Sequence, residues 1–352
     1  MSGLAAMGAE ATRPRERAAP DVPAFSPRAF VVVPCLNEIA GLDALLGDLL
    51  AQTEAMNALI VVADGGSTDG SRARIAHHGA RSGGRVRLLD NPARLQSAGI
   101  NRAVARFGGA REFVIRVDAH GALPPRFIAT LLEEAEATGA DSVTCALRNS
   151  GSSPFQRAVA LAQSSPLGNG GAAHRMGPGE AGRWVEHGHH ALMRVDAFRA
   201  AGGYDETFRA NEDAELDLRL AGAGARIWLT GRVAVTYHPR ARPAALFRQY
   251  WHYGRGRART VRKHRLMPRM RQLLPLAVAP ALVGLPLAAF LPIAAVPALL
   301  WGGASLCGGA LIGARSSLRD AALVPLAVLI MHAAWSFGFW RQALAVRAGG
   351  AS

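Results

Sequence analysis

Short aliphatic and β-branched runs alternate with stretches of helical periodicity through the first 150 residues of this chain. Residues 29–34 (AFVVVP) and 58–63 (ALIVVA) are unbroken apolar runs of strand length, the pattern of strands buried on both faces. Between them, Leu42, Leu45, Leu46, Leu49 and Leu50 keep to one face of a helix that begins near Asn37-Glu38. The turn Asp64-Gly65-Gly66 closes the second strand, and Ser67 or Thr68 is placed to cap the helix after it. The pattern continues with strand 86–89, helix 95–107, strand 112–117, helix 126–138 and strand 141–147. This alternation predicts an α/β fold with a mostly parallel, doubly wound sheet, whose ligands bind at the carboxyl ends of the strands.

Residues 150–182 are polar, Gly-rich and aperiodic, which predicts a mobile loop beside the site. Order returns over 189–195 and then 196–201, and Gly202-Gly203 marks a turn. A helix over 211–221 follows, with Asn211 as its cap and Glu212-Asp213 in its first turn. Short strands are expected at 226–229 and 233–237. Residues 243–265 carry Phe247, Tyr250, Trp251 and Arg255 at helical spacing, which predicts an amphipathic helix lying on a membrane surface. No internal repeat of fixed period is visible.

Beyond residue 272 the pattern changes. Residues 273–314 hold no charged side chain, and residues 321–340 form a second such run after the polar break 315–320. A helix needs ~20 apolar residues to cross a bilayer core. About three transmembrane helices are therefore expected, at 273–291, 293–313 and 321–340. Pro275, Pro280, Pro286, Pro292 and Pro297 make the first run irregular and leave a re-entrant segment open. With the sheet domain cytoplasmic, three spans put Arg315 and Arg319 inside, as the positive-inside rule expects. They put Arg341 and Arg347 outside, against it.

The formal net charge is +14, and eleven basic residues lie between Arg240 and Arg271 with no Asp or Glu among them. A basic cluster just before membrane spans suits the cytoplasmic face and anionic lipid head groups. Membrane lipids, and no nucleic acid, are the partners it predicts. Cys35, Cys145 and Cys307 are far apart and offer neither a disulfide framework nor paired metal ligands. The first ~25 residues lack the apolar core of a signal peptide and read as a disordered leader, so the sheet domain is expected to stay in the cytoplasm. The expected division is a leader at 1–28, a sheet domain at 29–240, a basic interfacial helix at 241–272, a membrane region at 273–340 and a tail at 341–352.

Three acidic positions carry the candidate chemistry. Asp64, at a strand end beside glycines, can accept hydrogen bonds from a flat heterocycle or cap its own turn, and the segment does not choose between them. Asp118 and His120 point the same way in extended chain, where they could hold a divalent cation carrying a diphosphate or form an ordinary structural pair. Glu212-Asp213 gains from the helix macrodipole wherever it sits, and an ionised Asp facing a cleft is also a general base for a hydroxyl. His187, His189 and His190 offer acceptor contacts, although no ligand spacing separates them from polar scaffolding.

Taken together, VVVPCLNE (31–38), DGGSTDGS (64–71), RVDAH (116–120), GGYDETF (202–208) and NEDAELDLRL (211–220) resemble the family 2 glycosyltransferases, inverting enzymes with a GT-A fold. The resemblance covers about residues 29–260. The DAH variant and the segment RQYWHYGRGRART are most similar to members that act in exopolysaccharide assembly. It implies that Pro34, Asn37, Glu38 and Gly66 lie against a nucleotide sugar, with Asp64 on the base. Asp118 would hold Mg²⁺ or Mn²⁺ at the donor diphosphate, with His120 where the usual second Asp stands. Asp213 would be the catalytic base, oriented with Glu212. His189, His190, Arg248, Trp251 and Arg255 would serve the acceptor and membrane side.

The Gln-x-x-Arg-Trp signature of processive members is matched only loosely by Arg248-Gln249-Tyr250-Trp251, so transfer of a single sugar is expected. The resemblance implies a nucleotide-sugar donor, UDP-glucose first, and a polyprenyl-diphosphate-linked saccharide acceptor. It further implies a multi-pass protein of the bacterial inner membrane, working beside other exopolysaccharide assembly enzymes. Transfer to a polyprenyl monophosphate is one alternative, and a catalytically silent, membrane-anchored nucleotide-sugar-binding protein is another. No G-x-G-x-x-G follows the first strand, which leaves a dinucleotide oxidoreductase unsupported.

Overall fold

The computed structural model describes residues 25–349 except 120, 178, 180 and 269. The expected leader, as far as residue 24, lies outside the described residues. In chain order the elements are β1 (Ala29–Cys35), α1 (Ile39–Gln52), β2 (Leu59–Asp64), α2 (Ser71–Arg81), β3 (Val86–Asp90), α3 (Gln96–Phe107), β4 (Phe113–Arg116), α4 (Phe127–Thr138) and β5 (Ser142–Asn149). These are followed by α5 (Pro154–Gln163), α6 (Pro166–Asn169), β6 (Arg183–Val185), β7 (His189–Arg194), α7 (Val195–Ala200), α8 (Glu212–Gly222) and β8 (Ile227–Tyr237). The chain ends with α9 (Pro243–Lys263), α10 (Met270–Gly284), α11 (Val296–Ala314) and α12 (Leu318–Gly349).

The strands form one sheet in the order β3-β2-β1-β4-β7-β5-β8-β6. β3, β2, β1 and β4 are mutually parallel, as the apolar runs predict, and β5 pairs parallel with β8. β7 enters between β4 and β5, antiparallel to both, and β6 edges the sheet antiparallel to β8. Alternate strand residues feed opposite layers. Val31, Val33, Ile60 and Ile115 pack with the leucines of α1 and with Phe127 and Ile128 of α4. Phe30, Val32, Leu59 and Val61 pack with Ile100 and Val104 of α3 and Leu216 of α8. Each such side chain, fully buried, contributes about 1.5–3 kcal/mol.

Several local expectations are corrected. Phe25 belongs to the second apolar layer, so the folded chain starts before residue 29. Gly70, with φ 97°, takes the cap position of α2, because Ser67 is engaged with Asp64 and Thr68 with Asn37. Asn211 precedes α8 in the left-handed region (φ 69°) but does not cap it, since its amide donates to Thr260 Oγ1 at 2.9 Å. The strands expected at 226–229 and 233–237 are one strand, β8, with a bulge between Thr230 and Ala234 where it follows β5.

The segment 150–182 is not a loop throughout. Ser153 caps α5 by accepting from the Gln156 amide, and Pro154 takes the first helical position. Ala158, Val159 and Ala162 then bury against Val324, Ala327, Val328 and Met331 of α12. The partner face lies about 165 residues away in sequence, which is why periodicity within the segment does not reveal it.

Residues 272–289, 292–314 and 318–345 are each long and apolar enough to cross a membrane. α12, 32 residues long, extends about 48 Å at 1.5 Å per residue, and it is packed along the sheet domain. Its backbone meets α9 where a Cβ on Gly254 would strike the Trp335 carbonyl and one on Gly338 would strike the Trp251 carbonyl. Leu246 and Tyr250 of α9 are buried against α12, whereas Phe247 stays exposed.

The opposite side of α12 is divided between the two shorter helices. Leu276 and Ala279 of α10 meet Ser336 and Trp340, and Pro280 explains the contact, since it leaves the Leu276 carbonyl to accept from both side chains. On α11, Trp301 meets His332, Gly309 packs at Pro325 and Gly313 at Asp320. Residue numbers rise along α11 while they fall along α12, so these two helices run antiparallel. Between α10 and α11 lie two short 3-10 turns, 285–289 and 292–295. The outer surface carries exposed Leu274, Val283, Leu287, Phe290, Ile293, Leu299, Leu300 and Leu311. An apolar patch of that extent marks an interaction surface.

Candidate active site

The β1–α1 and β2–α2 loops are laced together at the carboxyl end of the sheet. Ser67 Oγ accepts from the Asn37 amide at 2.8 Å, Asn37 Oδ1 accepts from the Thr68 amide at 2.9 Å, and the Gly65 amide donates to the Cys35 carbonyl at 2.8 Å. Asn37 sits at φ 58°, which turns the chain sharply out of β1. Pro34, Asn37 and Glu38 are thus brought beside Asp64 and Gly66.

Asp64 itself is buried and accepts from the amides of Gly66 and Ser67, from Ser67 Oγ at 2.5 Å and from Arg72 Nη1 at 2.7 Å. Burial opposes its charge, but the Ser67 and Arg72 bonds outweigh it and hold its carboxyl below the ordinary range. Such saturation is the pattern of a turn carboxylate, and it also fixes one face of the strand end.

A second group forms around Arg116, the last residue of β4. Its side chain is 4% exposed. Nε donates to Asp118 Oδ1 at 3.1 Å and Nη1 to Asp213 Oδ1 at 2.6 Å. Tyr204 donates its hydroxyl to the same Asp213 oxygen at 2.9 Å, and Gln96, with its amide oxygen turned inward, accepts from the guanidinium. Burial acts against the charge of Arg116, but Asp118 and Asp213 outweigh it, so the guanidinium stays protonated. Burial and the Asp213 charge push the Tyr204 phenol well up, which keeps it a donor.

Two acidic positions that are 95 residues apart in sequence are thereby joined through one cation. Sequence reasoning missed Arg116, Tyr204 and Gln96. The signal for the first was present, because an arginine ending a buried strand needs buried carboxylates to pair with.

Glu212 differs from its neighbour. Burial first, and the adjacent Asp213 charge second, push its carboxyl up to about 7. One turn further along α8, the Asp217 carboxylate bonds His187 Nδ1, another pairing that the sequence did not signal.

A cavity of about 1080 Å³ opens from this group. Asp118, His189, Glu212 and Asp213 line one end, and Leu274, Pro275, Met331 and Trp335 of the apolar helices line the other. His174, Arg175, Arg248, Tyr250 and Tyr253 lie between. Of the residues expected on the acceptor side, His189 and Arg248 line this space. Trp251 and Arg255 do not, because their side chains are engaged elsewhere. Trp251 stacks on Phe247, and Arg255 Nε donates to Gln342 Oε1 at 3.1 Å. His120 and the side chain of His190 lie outside the described residues.

Asp118 Oδ2 stands 3.6 Å from His189 Nε2, while its other oxygen is taken by Arg116. No group of three His, Cys, Asp or Glu side chains among the described residues is arranged to hold a metal. The Asp118–His189 pair nevertheless suits a cation that completes its shell with phosphate oxygens, as Mg²⁺ commonly does.

Comparison with known proteins agrees with this geometry. The family model Glycosyl transferase family 2 matches residues 30–202. The chain is 50% identical over 322 residues to the succinoglycan biosynthesis protein ExoA of Rhizobium meliloti (strain 1021), covering 92% of this chain and 97% of that one. Among solved structures, the mannosyltransferase PcManGT from Pyrobaculum calidifontis, in complex with GDP-Man and Mn²⁺, superposes with a TM-score of 0.55 at 21% identity. That match covers 93% of this chain and 89% of the other. GalNAc-T7 with UDP, GalNAc and Mn²⁺ superposes with a TM-score of 0.50 at 13% identity, over 74% of this chain and 51% of that one. These two likenesses establish the GT-A type fold and nothing finer. The family match and the full-length relative together settle membership: the chain belongs to glycosyltransferase family 2.

Proposed function

We propose that this protein transfers one sugar from a nucleotide-diphosphate sugar, UDP-glucose first among candidates, to a polyprenyl-diphosphate-linked saccharide in exopolysaccharide assembly. The single observation that carries the reading is the cavity. It runs without a break from Asp118 and Asp213 to the apolar side chains of α10 and α12, so one ligand can present a hydroxyl at one end and a lipid at the other. The relative's role in succinoglycan biosynthesis supports the same assignment.

In this mechanism Asp213 accepts the proton of the acceptor hydroxyl, whose oxygen attacks the anomeric carbon opposite the nucleotide. The bond from that carbon to the diphosphate oxygen breaks, the nucleotide leaves with the electron pair, and the configuration inverts. Arg116 and Tyr204 fix the Asp213 carboxylate, so little of its orientation has to be found during the reaction. Asp118 and His189 would hold Mg²⁺ or Mn²⁺, which when bound would neutralise charge developing on the leaving diphosphate. Pro34, Asn37, Glu38, Asp64 and Gly66 form the expected nucleotide side. Asp213→Asn is expected to abolish transfer while UDP binding survives, and equal loss of both would contradict the assignment.

One observation favours a second reading of the base. Asp213 is committed to Arg116 and Tyr204, whereas Glu212 lines the cavity with a carboxyl near neutrality, the value that suits a general base. Glu212→Gln separates the two: turnover persists if Asp213 is the base and disappears if Glu212 is.

The apolar layer of α10, α11 and α12 is the membrane attachment in this reading. Three helices long and apolar enough to cross a bilayer support a multi-pass protein of the bacterial inner membrane, with the sheet domain on the cytoplasmic side.

A further inference from the structure

Arg175, half-buried, is placed unlike the buried Arg116 of the same cavity. Arg116 is held by two carboxylates, whereas no carboxylate among the described residues pairs with Arg175. Its Nη1 is buried without a hydrogen-bond partner. Its neighbours are aromatic: the guanidinium lies 5.7 Å from the centre of the Tyr237 ring, and the Tyr253 hydroxyl is beside it. His174, 6% exposed, also lines the cavity, and its Nδ1 is likewise without a partner. Gln249 Nε2 donates to the hydroxyls of Tyr237 and Tyr253 at 2.9 and 3.1 Å, so each hydroxyl keeps its own proton to donate. Arg240 and Arg248 line the same wall and make no ion pair among the described residues.

A guanidinium whose Nη1 is buried without a counter-charge is unfavourable unless an anion completes it. The same cavity is lined by Asp213 and by Leu274, Pro275, Met331 and Trp335 of the apolar helices.

We propose that Arg175, with His174 and the hydroxyls of Tyr237 and Tyr253, binds the diphosphate of the acceptor lipid. The acceptor's sugar then reaches Asp213, and its chain lies along Leu274, Met331 and Trp335. Guanidinium geometry suits paired phosphate oxygens, and the tyrosines exclude water around them. The inference rests on the reading of the protein as a transferase that acts on a lipid-linked saccharide.

The test is equilibrium binding to the full-length chain in detergent, with farnesyl diphosphate, farnesol, inorganic pyrophosphate and UDP as probes. Wild-type protein is expected to bind farnesyl diphosphate at least tenfold more tightly than either farnesol or pyrophosphate. Arg175→Met should weaken farnesyl diphosphate at least tenfold and leave UDP unchanged, which also reports that the variant is folded. Arg175→Lys, which keeps the charge but not the planar fork, should lose less and carries the same comparison should Arg175→Met not fold.

Farnesyl diphosphate binding unchanged in both variants would overturn the proposal. So would a parallel loss of UDP binding in a folded variant, which would give Arg175 to the donor instead. Wild-type protein that binds UDP but not farnesyl diphosphate would also overturn it, while leaving sugar transfer standing. Binding of neither would remove the transferase reading itself, and the proposal with it.

Discussion

Arg116 Nη1 lies 2.6 Å from Asp213 Oδ1, and the same guanidinium reaches Asp118 through Nε. The last residue of a central strand thus ties Asp118 to Asp213. Arg116 is buried while its two acids are 20–22% exposed, so the pair's geometry matters more than its net energy. The about 3–5 kcal/mol lost on breaking a fully buried pair is an upper bound here. Arg116→Lys keeps the charge but cannot reach both acids with one planar fork. It is expected to lower kcat at least tenfold with UDP binding retained. Steady-state kinetics beside UDP titration would check this, and wild-type kcat would contradict the positioning role.

Glu212 links pH to stability. Its carboxyl is pushed up to about 7 in the folded chain, against an ordinary 4.5. The folded state therefore holds the proton more tightly than the unfolded state does. Stability associated with this group is present below pH 4.5 and is lost as pH rises through about 7, to an extent of roughly 3 kcal/mol. Glu212→Gln should accordingly raise the melting temperature at pH 8 and leave it nearly unchanged at pH 4. Thermal unfolding at the two pH values measures the difference.

Glu215 has the opposite sign. It is fully buried and meets Arg219, Lys263 and His264 at 2.6–2.9 Å, which fastens α8 to the end of α9. Burial opposes its charge, but these partners outweigh it and lower its carboxyl to about 2. The stability it contributes is present above pH 4.5 and is lost as pH falls towards 2. Glu215→Gln should cost about 3 kcal/mol at pH 7, read as a lowered melting temperature.

The arrangement of the apolar helices predicts accessibility. Single cysteines at Ser316 and Ala345, in a background without the exposed Cys307, should react with a membrane-impermeant thiol reagent from opposite sides, residue 316 from the cytoplasmic side and residue 345 from the outer side. A layer seated in one face of the membrane would instead leave both on the cytoplasmic side. Labelling of intact cells against inverted vesicles distinguishes the two.

The sheet was legible because its strands are short apolar runs, and the three acids were legible because they end strands or start a helix. The pairing of Arg116 with Asp213 was not, since 97 residues separate them and only the fold joins them. β7 also escaped: residues 189–195 read only as ordered, and nothing local announces an antiparallel insertion between β4 and β5. Helix α5 was lost in a Gly-rich stretch because its stabilising partner is α12. Arg175 was hidden for a like reason, since its neighbours Tyr237 and Tyr253 come from β8 and α9, far along the chain.

The most direct test of sugar transfer uses full-length protein in detergent, labelled UDP-glucose and other nucleotide sugars, and a bacterial lipid extract as acceptor, with and without Mn²⁺ or Mg²⁺. The account predicts label entering the lipid fraction from one donor, dependent on the cation and absent with Asp213→Asn. Folded protein that neither binds a nucleotide nor labels any lipid would contradict it.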